Sequence, residues 1–389
     1  MSTSPRANWN YPTAIRFGAG RIAELAEACR AAGIARPLLV TDAGLARLDI
    51  TTRTLAILRD AGLEPGFFAD VQPNPVEANL AAGVAAYRAG GHDGVVAFGG
   101  GSGLDVGKLV AFMAGQSRPV WDFEDIGDWW TRADAGAIAP VVAVPTTAGT
   151  GSEVGRAAVL TNPDHVKKII FHPGMMPKVV ICDPELTVGM PPAITAGTGM
   201  DALAHCLEAY CANGYHPMAE GIAVEGMRLV FAYLPRAVAD GTDIEARANL
   251  MAAAAMGATA FQKGLGAVHS LSHPVGAIYN THHGMTNGVF MPYVLAFNRP
   301  AVEARIDRLA AWLGFAGGFD GFQAALLDLR ARTGVPHALG DLAVDDARFD
   351  EMAVMAVEDP STGGNPVPLD AAAAMRLFRA AYAGDLGAV

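Results

Sequence analysis

Clustered positive charge is missing from this sequence. Lys and Arg number 28 against 39 Asp and Glu, a net charge of -11, and no basic block occurs. Neutralising a phosphate backbone needs clustered Lys and Arg, so nucleic acid is excluded as a partner and small molecules are expected. Cysteine is scarce too. Cys29, Cys182, Cys206 and Cys211 form no C-x-x-C pair, which excludes a zinc finger or an iron–sulfur centre and fits a reducing, cytoplasmic compartment. No stretch reaches the ~18 uninterrupted apolar residues of a membrane span, so no membrane is expected as a partner. Met1 to Trp9 lacks the apolar region of a secretory leader. Charged residues make up 17% of the 389 residues and apolar ones 51%. Such a chain can bury large cores, and its length suggests two domains.

The two halves are patterned differently. Pro37–Thr41, Gly94–Phe98 and Pro140–Val144 are short β-branched or apolar runs that read as buried parallel strands, separated by helical stretches at 21–32, 43–61 and 76–90. Gly33, Gly62 and the pair Gly90-Gly91 stand where those helices should stop. The last strand-like run is Val179–Pro184. From Pro191 the pattern is Ala- and Met-rich and helical, at 193–212, 217–239, 245–261, 301–313 and 370–382, with Gly/Pro-rich loops at 314–321 and 359–368. The expected organisation is an α/β dinucleotide-binding domain with a parallel sheet over 1–187 and an all-α metal and substrate domain over 188–389.

Two four-residue steps carry the chemistry of the second half: Asp201 to His205, and His269 to His273, with His283 following in His282-His283-Gly284. Residues at i and i+4 lie on one face of a helix, so each step can aim two side chains at one point. Four of the ten histidines fall between 269 and 283, among small and apolar neighbours where unpaired rings are costly. Asp201, His205, His269 and His283 would give one carboxylate oxygen and three imidazole nitrogens, a donor set suited to Fe(II) or Zn(II).

In the first half, Gly99-Gly100-Gly101-Ser102-Gly103-Leu104-Asp105-Val106-Gly107-Lys108 leaves a strand and opens a helix, placing glycine amides at a positive helix terminus. Leu104 breaks the G-x-G-x-x-G frame, while Ser102 and Leu109 break that of a P-loop. Alone, such a run is either a phosphate cradle or a tight turn. The second loop, Pro145-Thr146-Thr147-Ala148-Gly149-Thr150-Gly151-Ser152-Glu153, also leaves a strand end, and two such loops in one sheet point to a binding crevice.

In their order and wording these motifs, with Gly264–Pro274 and His283-Gly284, resemble the iron-dependent alcohol dehydrogenase family, of dehydroquinate synthase-like fold, over nearly the whole chain. The resemblance implies a metal and a nicotinamide meeting in a cleft, with Asp201, His205, His269 and His283 as metal ligands and His273 beside the reacting centre. It implies NAD contacts at Asp42, Asn74, Gly100, Gly101, Ser102, Asp105, Thr146, Thr147, Thr150, Lys168 and, on the cleft wall, Met190. A carboxylate at Asp42 would accept from the ribose 2′-hydroxyl and repel a 2′-phosphate, favouring NAD over NADP; Asp42 could equally cap the helix that follows. His273 is either a proton route or a hydrogen-bonded structural residue. A homodimer or larger homo-oligomer is implied as well.

The expected activity is metal-dependent hydride transfer between NAD(H) and a primary alcohol or aldehyde. Two alternatives stand beside it: reduction of an acidic semialdehyde, with Lys263 and Arg156 holding the acidic tail, and a non-redox metal enzyme similar to dehydroquinate synthase.

Overall fold

The computed structural model describes residues 11, 13–164 and 166–389. They divide into two compact units, Pro12–Gly189 and Met190–Val389 with Tyr11. The first contains strands β1 (Ala14–Phe17), β2 (Pro37–Val40), β3 (Gly66–Phe68), β4 (Gly94–Gly99), β5 (Val141–Pro145), β6 (Ala157–Thr161), β7 (Lys167–Phe171) and β8 (Val179–Cys182). Its helices are α1 (Leu25–Ala31), α2 (Asp49–Asp60), α3 (Glu77–Ala89) and α4 (Gly101–Met113). Six strands form one parallel sheet in the order β1-β8-β5-β4-β2-β3. The apolar runs of the sequence are its β2, β4, β5 and β8. The antiparallel β6–β7 ribbon and the short β1 and β3 carry no comparable run and were not expected.

Why the central runs read as continuous rather than alternating is plain from their burial. Val96 and Phe98 of β4 join Leu25, Leu39, Leu55, Leu58, Val142 and Ile181 in one core cluster. Val95 and Ala97 face α4, whose Gly107 lies so close that a Cβ there would stand 2.6 Å from that of Ala97. With both faces covered, every position is apolar. After β2 the chain adds β3 on one side and β4 on the other, so connections leaving the carboxyl ends of β2 and β4 diverge. That divergence leaves a crevice suited to a ligand. Of the expected helix stops, Gly33, Gly62 and Gly91 are left-handed, whereas Gly90 stays in the right-handed region.

The second unit contains α5 (Pro192–Cys211), α6 (Pro217–Ala239), α7 (Ile244–Ala260), α8 (Ala267–Tyr279), α9 (His283–Leu313), α10 (Gly318–Arg332), α11 (Phe349–Glu358) and α12 (Ala371–Ala383). Among the described residues it has no strand. Two expectations change here. The helix expected at 301–313 is only the end of α9, which runs 31 residues through Pro292 and Pro300; around Pro292 burial of the flanking turns offsets the hydrogen bond the proline lacks, while Pro300 lies on an exposed turn. The loop expected at 314–321 ends earlier, since α10 starts at Gly318. Helix α5 is buried from Gly199 to Cys211 and packs against α6, α7 and α9. Its lack of a polar face is what such a position requires.

Candidate metal centre and nucleotide loops

Three helices of the second unit bring the expected ligands to one point. Asp201 and His205 come from α5, His269 from α8, and His283 opens α9. Asp201 Oδ1 lies 3.8 Å from Nε2 of His205, 3.8 Å from Nε2 of His269 and 3.5 Å from Nε2 of His283. A tetrahedral ion with bonds of about 2.1 Å holds its ligand atoms roughly 3.4 Å apart, so the distances from Asp201 suit a divalent metal, and the ligand atoms of Asp201, His205 and His269 all lie within 4.8 Å of one another. The His283 side chain is 25% exposed and the other three are at most 6% exposed. Exposure at one ligand leaves a side from which a substrate oxygen can approach. The sequence pair His283-Gly284 has a steric cause: a Cβ on Gly284 would stand 2.0 Å from the carbonyl oxygen of Gly197. Only glycine lets α9 come this close to α5 beside Asp201.

Two residues of the centre were not foreseen. Glu208, seven positions after Asp201 on the same face of α5, accepts from Val268 N at 2.7 Å and holds Nδ1 of His269 in a short contact. Burial works against the charged His269 ring, yet Glu208, with Asp201 and Asp359, outweighs it and raises the pKa. A carboxylate on the far nitrogen of a ligating imidazole fixes the ring and strengthens its donor atom. Asn287, one turn after His283, donates to Asp201 Oδ1 at 2.8 Å. Both spacings were visible as helical repeats. His273 lies on α8 with its ring stacked on that of His283, centroids 5.3 Å apart, and its Nδ1 is 2.7 Å from Asp359 Oδ2.

Lys263 does not have the role expected of it. Its Nζ donates to Glu220 at 2.8 Å and to the carbonyl of Tyr210 at 3.1 Å, with its side chain 1% exposed. Arg305 joins the same carbonyl at 2.7 Å and the same carboxylate at 3.3 Å. Both cations therefore serve the carboxyl end of α5, where unpaired carbonyls and the helix dipole attract them. Arg156 belongs to the sheet unit, with its guanidinium 5.4 Å from the centre of the Phe171 ring.

In the sheet unit, the loops after β4 and β5 leave strands paired in register up to Gly99 and Pro145. Gly99 adopts a φ of +146°, and Cβ atoms on Gly100 and Gly101 would approach Thr147 and Thr150 Cγ2 at 3.1 and 2.7 Å. The two loops touch, with glycine required at the contact. Thr146 N donates to Gly99 O at 2.9 Å, and Ser102 lies in the first turn of α4. Asp42 Oδ1 accepts from Gly44 N and Leu45 N, both at 2.9 Å. Its Oδ2 is turned towards the Gly99 turn, 3.7 Å from where a Cβ would stand there. One oxygen caps and the other faces the crevice, so the two roles of Asp42 are compatible.

Asp105 has a different task from its expected one. Oδ1 accepts from Ser152 Oγ at 2.5 Å and Oδ2 from Val159 N at 2.9 Å, while Lys108 Nζ lies 3.3 Å from Oδ1. Both oxygens are engaged within the protein, and a carboxylate facing phosphate would repel it. Asp105 fixes the second loop. Lys108 assists by donating to the carbonyls of Ser152, at 2.9 Å, and Ala157. Asn74 is a left-handed turn residue, and Lys168 on β7 pairs with Glu124 at 3.3 Å. Met190 lies in the helical unit and accepts through its carbonyl from Arg247 at 3.4 Å.

The family profile described as iron-containing alcohol dehydrogenase matches residues 12–184, and that of the family's C-terminal region matches residues 195–382. The chain belongs to the iron-containing alcohol dehydrogenases. As a member of that family it is an oxidoreductase that uses NAD and a metal in alcohol and aldehyde interconversion. It is 40% identical to a 4-hydroxybutyrate dehydrogenase from Cupriavidus necator, covering 95% of this chain and 98% of that one. A crystal structure of a 1,3-propanediol oxidoreductase superposes with a TM-score of 0.92 at 35% identity, over 97% of this chain and all of the other. The sulfoacetaldehyde reductase from Bifidobacterium kashiwanohense in complex with NAD+ gives 0.89 at 30% identity, over 98% and 100%. The non-redox alternative drops out here.

Two outcomes test this geometry. Glu208→Gln keeps the shape but loses the charge behind His269, so metal affinity should fall about 10- to 100-fold with the fold intact; competition with a chelator measures it, and unchanged affinity would deny Glu208 that role. Glu153, buried beside Lys108, has its carboxyl pushed up to about 7, chiefly by burial. A raised carboxyl contributes stability below its unfolded pKa, lost as pH rises through about 7. Glu153→Gln should therefore gain melting temperature relative to the parent as pH rises from about 4.5 to about 7 and keep that gain above it, and a pH-independent difference would show that Lys108 neutralises Glu153.

Proposed function

We propose that the chain is an NAD(H)-linked dehydrogenase of primary alcohols in which Asp201, His205, His269 and His283 hold the metal, Fe(II) or Zn(II). The observation that carries this is the convergence of Asp201, His205 and His269, whose ligand atoms all lie within 4.8 Å of one another inside the helical unit, with His283 Nε2 3.5 Å from Asp201 Oδ1. When bound, the metal supplies a Lewis acid for the substrate oxygen. The protein groups supply the rest. Glu208 and Asn287 orient His269 and Asp201, and His273 carries the alcohol proton through Nε2 to water.

Gly100, Gly101, Ser102, Thr146, Thr147 and Thr150 cradle the dinucleotide, and Asp42 selects NAD through the ribose diol. The mutual contact of the two loops and the open side of Asp42 support this. Asn74, Lys168 and Met190 are proposed as further contacts on the family resemblance. A cytoplasmic homodimer is proposed too, the four buried free thiols fitting a reducing compartment.

One finding favours a narrower substrate. Identity of 40% to a 4-hydroxybutyrate dehydrogenase supports an ω-hydroxy acid and its semialdehyde, although Lys263 is engaged with Glu220 and does not supply the anchor.

Purified protein should oxidise 1-butanol, 1,3-propanediol and 4-hydroxybutyrate with NAD, lose the activity to a chelator and regain it with Fe(II) or Zn(II). No NAD-dependent turnover of any primary alcohol in either metal form would refute the assignment; a strong preference for 4-hydroxybutyrate over 1-butanol would select the narrower reading. For the cofactor, Asp42→Gly should lower the ratio of kcat/KM with NAD to that with NADP. If only the melting temperature fell, Asp42 would be a cap alone.

A further inference from the structure

His269 and His273 stand one turn apart on α8, and each has its Nδ1 against a carboxylate, Glu208 for the first and Asp359 for the second. Only His269 is among the four proposed ligands. A carboxylate on Nδ1 sets both the tautomer and the ring orientation, placing the proton on Nδ1 and the lone pair on Nε2. His273 thus has the supporting arrangement of a metal ligand without being assigned as one, and its ring is stacked on that of His283.

Asp359 is held in turn. It caps the 3-10 turn Pro360–Gly364, its Oδ1 accepting from Ser361 N at 2.8 Å, and its side chain is 7% exposed. The turn is fastened to the metal-bearing helix. Thr362 Oγ1 donates to Ser270 Oγ at 2.7 Å, and Asn365 Oδ1 accepts from Ala267 N at 3.1 Å. Asn365 also exchanges amide hydrogen bonds with Asn298, at 2.8 and 2.9 Å. A Cβ on Gly364 would stand 2.1 Å from the carbonyl oxygen of Leu265. So anchored, Asp359 holds the same relation to His273 whichever substrate is present. A backbone carbonyl or a carboxylate on Nδ1 would each fix which nitrogen bears the proton; the carboxylate also stabilises the ring while Nε2 carries a second proton.

We propose that Asp359 is a positioning residue for the proton step, holding His273 as the Nδ1–H tautomer so that Nε2 is the nitrogen that exchanges the substrate proton. This rests on the reading of His273 as the proton carrier. In oxidation the alcohol O–H bond breaks and its proton goes to Nε2. The carbinol C–H bond breaks and its hydrogen, with the electron pair, goes to nicotinamide C4. The carbon–oxygen double bond forms, NAD+ becomes NADH, and the proton passes from Nε2 to water; reduction runs the same steps backwards.

The test compares metal-loaded Asp359→Asn, His273→Ala and the double variant. An asparagine keeps the shape but can donate to Nδ1 and reverse the tautomer, so kcat should fall ~10- to 1000-fold. KM, metal content and NADH binding should stay at parent values, and Asp359→Asn should cost nothing further once His273 is alanine. The same loss of kcat in both backgrounds would overturn the proposal. So would a parent-like Asp359→Asn beside a crippled His273→Ala, whereas a parent-like His273→Ala would overturn the reading of His273 itself. Should Asp359→Asn fold poorly, nitrogen-15 histidine NMR of the zinc-loaded parent decides, because the proposal requires His273 protonated at Nδ1 and fails if the proton is on Nε2.

Discussion

Buried negative charge organises the helical unit. Asp201, Glu208 and Asp359 have side chains at most 7% exposed, and their contacts are imidazoles, the Asn287 amide and backbone amides. A carboxylate taken from water without a compensating cation costs several kcal/mol. A divalent ion held by the proposed ligands would offset that cost and tie α5, α8 and α9 together. The surrounding architecture serves this junction. Helix α5 is buried from Gly199 to Cys211, its carboxyl end is neutralised by Lys263 and Arg305, and Gly284 admits α9 to the backbone of α5.

The sheet unit solves a separate problem, that of holding two flexible, glycine-rich loops still. Helix α4 does so with two side chains: half-buried Asp105 takes Ser152 and Val159 in the middle of β6, and buried Lys108 takes the carbonyls of Ser152 and Ala157. The glycines are then free to expose backbone amides rather than to maintain the loop. Crossover at β2 and β4 sets Asp42 beside the Gly99 turn. One oxygen of Asp42 caps a short turn, and the other is left beside the Gly99 turn.

Positive charge near the centre is committed to structure, which bears on substrate choice. Lys263 and Arg305 converge on Glu220 and on the last carbonyls of α5. Recognition of an acidic tail, if this enzyme has it, draws on other donors. The same geometry explains why Lys263 looked available: a lysine six residues before a ligating histidine carries no local sign of a partner 43 positions away.

Local periodicity determined a good deal by itself. The strands with apolar runs, the long helices of the second half, and the i, i+4 pairs Asp201/His205 and His269/His273 were legible because their partners lie within one or two turns of the same element. Glu208 and Asn287 had legible spacings as well, but nothing local distinguishes a carboxylate behind a ligand from one facing solvent. Tertiary structure alone decided the rest. Asp359 reaches His273 across 86 residues, Asp105 is drawn to Ser152 across 47, and α9 continues through Pro292 because burial of the flanking turns outweighs the missing hydrogen bond. A sequence records which groups a chain owns; which of them meet depends on how helices and strands distant in the chain bury one another, and the energy of those contacts overrides local preference.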